Sequence, residues 1–469
     1  MERRYDVIIV GARCAGASLA AFLSRGGMKV LMVDKARMPS DQVLSTNTLH
    51  RTGVSVLDEL GLGTALRQLC PAMTSMRYDW FGAILDLDIT ERAEYCPRRY
   101  SLDGLLQEAA LKSGAELWDR TKVSGLMTER GRTAGVYLTR ADGTSGSVRA
   151  DLVVGADGRK SRVAQWVGSE ELLGYDAPRG MYWSYWPAPR SWGHSHRFPA
   201  GMYLYRRGEH ISVAFHAQDD QLLIGTLPLN SEIDAFRQRP LDSLRERAAQ
   251  VPAFEETVQQ EPCEAVRGYL AQRYFVRRPV GPGWLLLGDA GVHKDFVSGD
   301  GISEALLQAR SAAQALLSNT PRDIALERWW RQRDVDALPL FFHSQDVAQP
   351  GKPGELDRLV LNKVAEDAEL KRRFAGTMIR ESNPYEMLRP TTAAGWVLRA
   401  ALRGKPGILS EFLSRGKRVA AVKRELALRE ALLRRATSEA WAPTTAQSTE
   451  AQETTPAQQT PAEQNPATA

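Results

Sequence analysis

The strongest constraint on this chain lies at its N-terminus, where the apolar run Tyr5 to Val10 meets the turn Gly11-Ala12-Arg13-Cys14-Ala15-Gly16. Bulky side chains at consecutive positions need cover on both faces, as in a buried parallel strand. Small and apolar residues from Cys14 to Arg25 then predict a helix stopped by Gly26 and Gly27, and Lys29 to Val33 predicts a second strand ending in Asp34. The three pieces make a βαβ unit. Its turn matches G-x-G-x-x-G at Gly11 and Gly16 and carries Arg13 at the middle glycine. The first glycine allows the tight turn, the last lets helix and strand approach, and the helix start at Ala15 and Gly16 faces a diphosphate. Arg13 can add a charge-assisted contact to that diphosphate. Asp34, with Lys35 beside it, stands where a carboxylate accepts hydrogen bonds from a ribose. This combination predicts a dinucleotide site, against the alternative of a tight turn in an unrelated α/β protein.

Further along, Leu102 to Ser113 has helical spacing, Val136 to Leu138 and Ser147 to Val154 read as strands, and Tyr182 to Leu229 holds repeated β runs rich in aromatics. Trp284 to Leu287 returns to a buried strand before a helix over Gly301 to Leu317. The expected fold is α/β: a Rossmann-type dinucleotide-binding domain, discontinuous over 1–175 and 265–340, with an inserted mixed or antiparallel β-sheet substrate domain over 176–264 and C-terminal helices over 341–437. Part of 70–100 is expected to join the substrate domain. Residues 438–469 have a composition that cannot bury a core and predict a disordered tail.

Two more segments carry chemistry: Val154-Gly155-Ala156-Asp157-Gly158-Arg159-Lys160-Ser161-Arg162-Val163, and Leu287-Gly288-Asp289-Ala290-Gly291 continuing to Gly299-Asp300-Gly301. With the N-terminal turn, in this order, they resemble the fingerprints of the group A, or aromatic-hydroxylase-like, FAD-dependent monooxygenase superfamily, whose members include flavin-dependent halogenases and geranylgeranyl reductases. The resemblance reaches from the N-terminus to about Leu317. It implies FAD as the cofactor, with Asp289 on the ribityl chain, Asp157 and Arg162 bracing the loop beside it, and Arg99 against its phosphate and ribityl region. The start of the third segment's helix, at Gly301 and Ile302, offers free N–H groups to the electron-rich edge of a reduced flavin. His293 falls one place later than the family's histidine, and Phe296 stands where a proline is common. His293 is a candidate proton donor or a structural histidine, and no other catalytic residue is singled out.

The resemblance implies an NAD(P)H-dependent monooxygenase that hydroxylates or epoxidises an aromatic or polyketide- or quinolone-like small molecule with O2, through a flavin C4a-hydroperoxide. A single βαβ fingerprint means that NAD(P)H visits as a co-substrate, or that a flavin reductase partner supplies the electrons. Halogenation is an alternative, although Trp183-Ser184-Tyr185-Trp186-Pro187 only loosely resembles the halogenase W-x-W-x-I-P element. Isoprenoid double-bond reduction is another, and a flavin-binding partner protein without turnover is a third. Tyr185, Tyr203 and Phe215 in the aromatic-rich strands are candidate substrate contacts for an aromatic or lipophilic guest, and His50 and His216 are weighed beside them.

The net charge of +5 is spread among alternating signs over most of the chain and does not predict nucleic-acid binding. The basic, apolar stretch from Trp396 to Arg435 permits helix packing, subunit pairing or peripheral contact with an anionic membrane. The four cysteines are widely spaced, so neither a metal site nor a disulfide framework is expected, and no apolar run is long enough to cross a bilayer. A cytoplasmic setting follows from the cysteines and the absence of a signal-peptide pattern.

Overall fold

A computed structural model describes residues 3–40, 45–192, 201–270 and 272–438. The N-terminal βαβ unit forms as expected: the strand Arg4–Val10, the helix Cys14–Arg25 and the strand Val30–Val33. It seeds an eight-stranded sheet with the order Val280–Gly281, Trp284–Leu286, Ser145–Gly155, Arg4–Val10, Val30–Val33, Glu116–Trp118, and the hairpin Thr121–Glu129/Arg132–Arg140 adds to its Ser145–Gly155 strand. Val7, Ile8 and Ile9 are fully covered, which is why the strand needs no polar alternation. The helix Cys14–Arg25 packs its alanine face against the helices Gly301–Leu316 and Arg99–Lys112 in one continuous core.

The parallel register fixes where the fingerprints emerge. Val10 pairs with both Val33 and Gly155, and Gly155 pairs with Leu286. The carboxyl ends of four neighbouring strands are therefore level, and Gly11, Asp34, Ala156 and Leu287 leave the sheet on the same edge. Open α/β sheets bind ligands at that edge, outside the strand ends.

The second sheet has seven strands, in the order Arg267–Tyr269, Met181–Pro187, Gln221–Thr226, His210–Ala217, Met202–Arg207, Ser75–Trp80, Ala83–Asp88. Neighbours run antiparallel except Met202–Arg207 with Ser75–Trp80. Two of its strands come from 75–88, within the 70–100 segment expected to contribute. The strand Arg267–Tyr269 extends the sheet past the 264 boundary. A small third sheet, of Glu171–Asp176, Arg273–Arg277 and Val292–His293, was not anticipated.

The described residues beyond 340 are mostly helical, and they do more than trail the core. The long helix Arg322–Ala348 ends against the second sheet, where buried Arg179 and Arg206 donate to the carbonyls of Val347, Ala348 and Gln349. Arginine donors at a helix C-terminus satisfy carbonyls that have no intrahelical partner. Glu355–Glu366 and Ala368–Met378 then bury Leu361, Val364, Phe374 and Ala375 against the same sheet face. No helix among the described residues is long and apolar enough to cross a membrane. The four cysteines are free. Apart from Ser438, the expected tail lies outside the described residues.

Candidate active site

The three fingerprints meet at the carboxyl edge of the first sheet, and glycine is required at the points of contact. Gly11 has φ +105°, and a Cβ there would stand 2.4 Å from the Ala156 carbonyl oxygen, which joins the first fingerprint to the second. A Cβ on Gly16 would meet the Gly11 carbonyl at 1.9 Å. Gly288, from the third fingerprint, sits over Ala15, with 3.1 Å between a built Cβ and the alanine methyl. Asp34 accepts from the N–H of Ala12 at 3.0 Å and of Ala36 at 2.9 Å, so its carboxylate ties the glycine turn to the second strand end. Lys35 is exposed.

The second fingerprint is braced from within. Asp157 accepts from Ser161 Oγ at 2.5 Å and from the N–H of Arg162 at 2.7 Å, capping the short helix Arg162–Trp166. The Arg162 side chain turns outward to Gln165 and the Trp166 ring, so only its backbone serves the loop. Arg159, absent from the sequence-based candidates, is the side chain that turns inward. It stacks 5.0 Å from the centre of the Tyr269 ring and acts electrostatically on Asp289. Burial would raise the Asp289 carboxyl, but His293, Arg159 and Arg99 outweigh it and hold that carboxyl below its ordinary range.

His293 is buried, with Nε2 3.0 Å from Tyr269 OH and Nδ1 facing Asp289 at 3.4 Å in ion-pair rather than hydrogen-bond geometry. It sits between Asp289 and Tyr269 and does not line the cavity described below. Arg99 forks onto Asp103 with contacts of 2.9 and 3.1 Å. Its Nε, like those of Arg13 and Arg159, is buried with no hydrogen-bond partner. Buried guanidinium donors without acceptors around a glycine turn are what an anionic diphosphate would satisfy. Together with Asp34 at the strand end, this donor set fits FAD.

Behind the third fingerprint runs a buried polar chain. Lys294 pairs with Asp300 and Glu304, Gln308 Nε2 donates to Glu304 at 2.7 Å, and Gly288 N–H donates to Gln308 at 2.9 Å. Burial alone would lower the Lys294 ammonium, but the two carboxylates outweigh it and keep it charged. The chain fixes both ends of the third fingerprint to the helix Gly301–Leu316. Its first N–H groups, at Gly301 and Ile302, have no carbonyl within the helix to receive them. A Cβ on Gly301 would meet nothing within 4 Å.

A cavity of about 800 Å³, including its open mouth, adjoins this loop. Val297, Ser298 and Gly299 form one wall, and the inner face of the second sheet forms another with Met76, Met181, Met202 and Phe215. The remaining wall, of His343, Ser344, Val347, Met378 and Arg380, comes from the C-terminal helices. Phe215 is thus at the cavity. Tyr185 shares the sheet face, but it does not line the cavity: its hydroxyl accepts from Asn47 at 2.6 Å and Arg98 covers its ring. Tyr203 points to the opposite face, packed against Phe254 at 5.2 Å, because alternate residues of a strand face opposite ways. His216 pairs with Asp220 away from the cavity.

The cavity's polar groups come from four distant parts of the chain. His50 Nδ1 meets buried Glu94 at 2.6 Å, and its Nε2 lies 3.2 Å from the Ser298 carbonyl. Both ring nitrogens of His50 are thus engaged, one by a carboxylate and one by a backbone carbonyl. Arg380 Nη2 donates to the same Ser298 carbonyl at 2.6 Å. Burial, then Arg380 and Arg415, push the His343 imidazole down to about 3, so it is neutral at ordinary pH. Among the described residues there is no His, Cys, Asp and Glu group able to hold a metal ion.

The sequence profile of the FAD binding domain family matches residues 4–266. The chain is 29% identical over 342 residues to 6-methylpretetramide 4-monooxygenase of Streptomyces rimosus, covering 69% of this chain and 78% of that protein. It is 30% identical over 348 residues to menaquinone reductase of Mycolicibacterium smegmatis, covering 69% of this chain and 79% of that protein. Its fold is shared with pqsL, a probable FAD-dependent monooxygenase from Pseudomonas aeruginosa, at a TM-score of 0.62 and 20% identity over 81% of this chain and all of the other.

Proposed function

The chain belongs to the FAD binding domain family and is an FAD-dependent oxidoreductase, and from that premise we propose that it oxygenates an aromatic or polyketide-like small molecule at the expense of NAD(P)H and O2. The observation that carries this reading is the shared wall: the loop Val297–Gly299, which leads into the free helix start at Gly301, also lines the cavity. A guest in the cavity therefore lies beside the loop that would face the flavin.

In this reading the first turn from Gly11 to Gly16, with Arg13 and Ala15, holds the diphosphate, and Asp34 the ribose. Arg99, Arg159 and Asp289 hold the span between diphosphate and ring, and the N–H groups of Gly301 and Ile302 meet the ring's electron-rich edge. FAD, when bound, supplies the electron transfer and the activation of O2. The chain supplies position and dryness. Met76, Met181, Met202 and Phe215 exclude water from the guest, and the His50–Glu94 contact fixes the ring of His50 at the cavity wall. His293, enclosed between Asp289 and Tyr269, serves to position Asp289.

A comparable flavoprotein that halogenates needs a free lysine at its cavity, and no lysine lines this one among the described residues. Lys294 is committed to Asp300 and Glu304. Double-bond reduction is the second reading, favoured by the methionine-rich wall and by the likeness to a menaquinone reductase. Product mass separates the two. Purified holoenzyme supplied with NADPH or NADH, 18O2 and a panel of phenols, quinolones and menaquinone is expected to yield a product one labelled oxygen heavier. A product two hydrogens heavier, without label, would replace oxygenation by reduction.

A further inference from the structure

One charged group of the cavity makes no direct ion pair among the described residues. Arg380 follows the helix Ala368–Met378 and lines the cavity beside His343 and Ser344. Two of its donors go to backbone carbonyls, Ser298 O at 2.6 Å and Thr377 O at 3.4 Å. Its Nε is buried with no hydrogen-bond partner, and it makes no ion pair among the described residues. The two acids that act on it electrostatically make their direct contacts elsewhere, Glu94 with His50 and Asp300 with Lys294. Burial works against the guanidinium's charge, and Asp300 and Glu94 offset that only in part.

The backbone adds a second observation. Arg380 has φ +67°, in the left-handed region, at the place after a helix where glycine is the usual choice. An arginine held there is strained relative to glycine, so the position is set for the side chain. The neutral His343 imidazole offers one donor and one acceptor at the same end. The far walls, Met76, Met181, Met202 and Phe215, are apolar. The cavity is thus one-ended: a cation lacking an anion at one side, and an apolar body beyond it.

We propose that this end is a site for an oxyanion carried by the substrate, a carboxylate or an ionised phenol or enol, gripped by Arg380 with His343 beside it. The inference rests on the oxygenase reading for the cavity's use and narrows the substrate to an amphipathic acid. A guanidinium can face such a group with two parallel donors, which fixes which edge of the guest lies nearest the Ser298 loop.

Binding measured on the FAD-loaded protein without nicotinamide tests it apart from turnover. The probes are 2-naphthoate against neutral 2-naphthamide, and 2-naphthol below and above its own ionisation. At least one anionic form is expected to bind about tenfold or more tighter than its neutral partner, the usual effect of a hydrogen bond to a charged group. Arg380→Gln is expected to abolish that preference while 2-naphthamide binding and FAD retention stay within about twofold, and Arg380→Lys to keep part of it. A carboxylate preference and a naphtholate preference would identify the two possible sources of the oxyanion. Equal binding of charged and neutral probes by the unmodified protein would overturn the proposal, as would failure of every probe to bind. An equal loss of acid and amide in Arg380→Gln would assign Arg380 to holding the Ser298 loop, and overturn it too. Each result leaves the 18O2 experiment to decide oxygenation by itself.

Discussion

The groove and the cavity are neighbours built by different means. The groove is held by backbone: Gly11 and Gly16 let main chains touch, Gly288 leaves room for the Ala15 methyl, and Asp34 and Asp157 satisfy backbone N–H groups of the turns. The cavity is held by side chains from far apart, such as His50 on Glu94 and Ser298, and Arg380 on Ser298. A backbone site tolerates almost no added volume, whereas a side-chain site can be retuned one wall at a time. That contrast suits a constant cofactor beside a variable substrate.

The largest effect expected is on the groove. Gly16→Val puts branched carbon where even a Cβ meets the Gly11 carbonyl at 1.9 Å, and overpacking backbone against backbone should cost roughly 4 kcal/mol and all FAD retention. Urea unfolding with flavin absorbance reads both. If Gly16→Val kept its FAD, the groove would not be the backbone-limited site described here.

Glu94→Ala comes next, because it leaves buried His50 without its acid and should destabilise by about 3 kcal/mol. FAD affinity should fall far less, since the pair belongs to the cavity. Equal loss of both would mean that the two regions are not separable.

Asp295 sharpens the boundary between them. Burial pushes its carboxyl up to about 7, against the opposing contacts from Val297, Tyr175 and Arg179. The folded protein therefore holds a proton that the unfolded chain has released between about pH 4 and pH 7, and stability falls as pH rises through that window. Asp295→Asn should remove the fall, gaining roughly 4 kcal/mol over the parent at about pH 8 and little at about pH 4. Urea midpoints across pH check the sign, and a parent whose stability rose over the window would contradict it.

Two smaller comparisons use paired variants. Arg159→Ala should weaken FAD retention about tenfold, and Arg162→Ala, whose side chain points outward, should not change it. Phe215→Ala should weaken a neutral aromatic guest by about 1 kcal/mol with FAD unchanged, while Tyr203→Phe, on the far face, should leave guest binding within about 0.5 kcal/mol. Titration with 2-naphthamide distinguishes them.

How much of this could be read from the sequence follows the same division. The βαβ unit and the turns of the second and third fingerprints were legible, because each is announced by glycines and apolar runs within a short stretch. Strand alternation predicted that only one face would meet a guest, but not which parity, so Phe215 and Tyr203 were indistinguishable until the register was fixed. Arg159 and Arg162 lie in one fingerprint, and only the cap made by Asp157 decides which turns inward. His343 and Arg380 carried no local signal. They reach the cavity through the packing of helices on a sheet more than a hundred residues earlier in the chain, and through one carbonyl, Ser298 O, where Arg380 and His50 meet.

The central claim is that three separated fingerprints form one FAD groove whose ring end opens on the cavity. A crystal structure of the FAD-loaded protein tests it most directly. The account predicts the ribose at Asp34, the diphosphate over Gly11 to Gly16 and the ring edge against Gly301 and Ile302, facing Phe215 and Arg380 across the cavity. A flavin bound elsewhere, or one whose ring is walled off from that cavity, would contradict it.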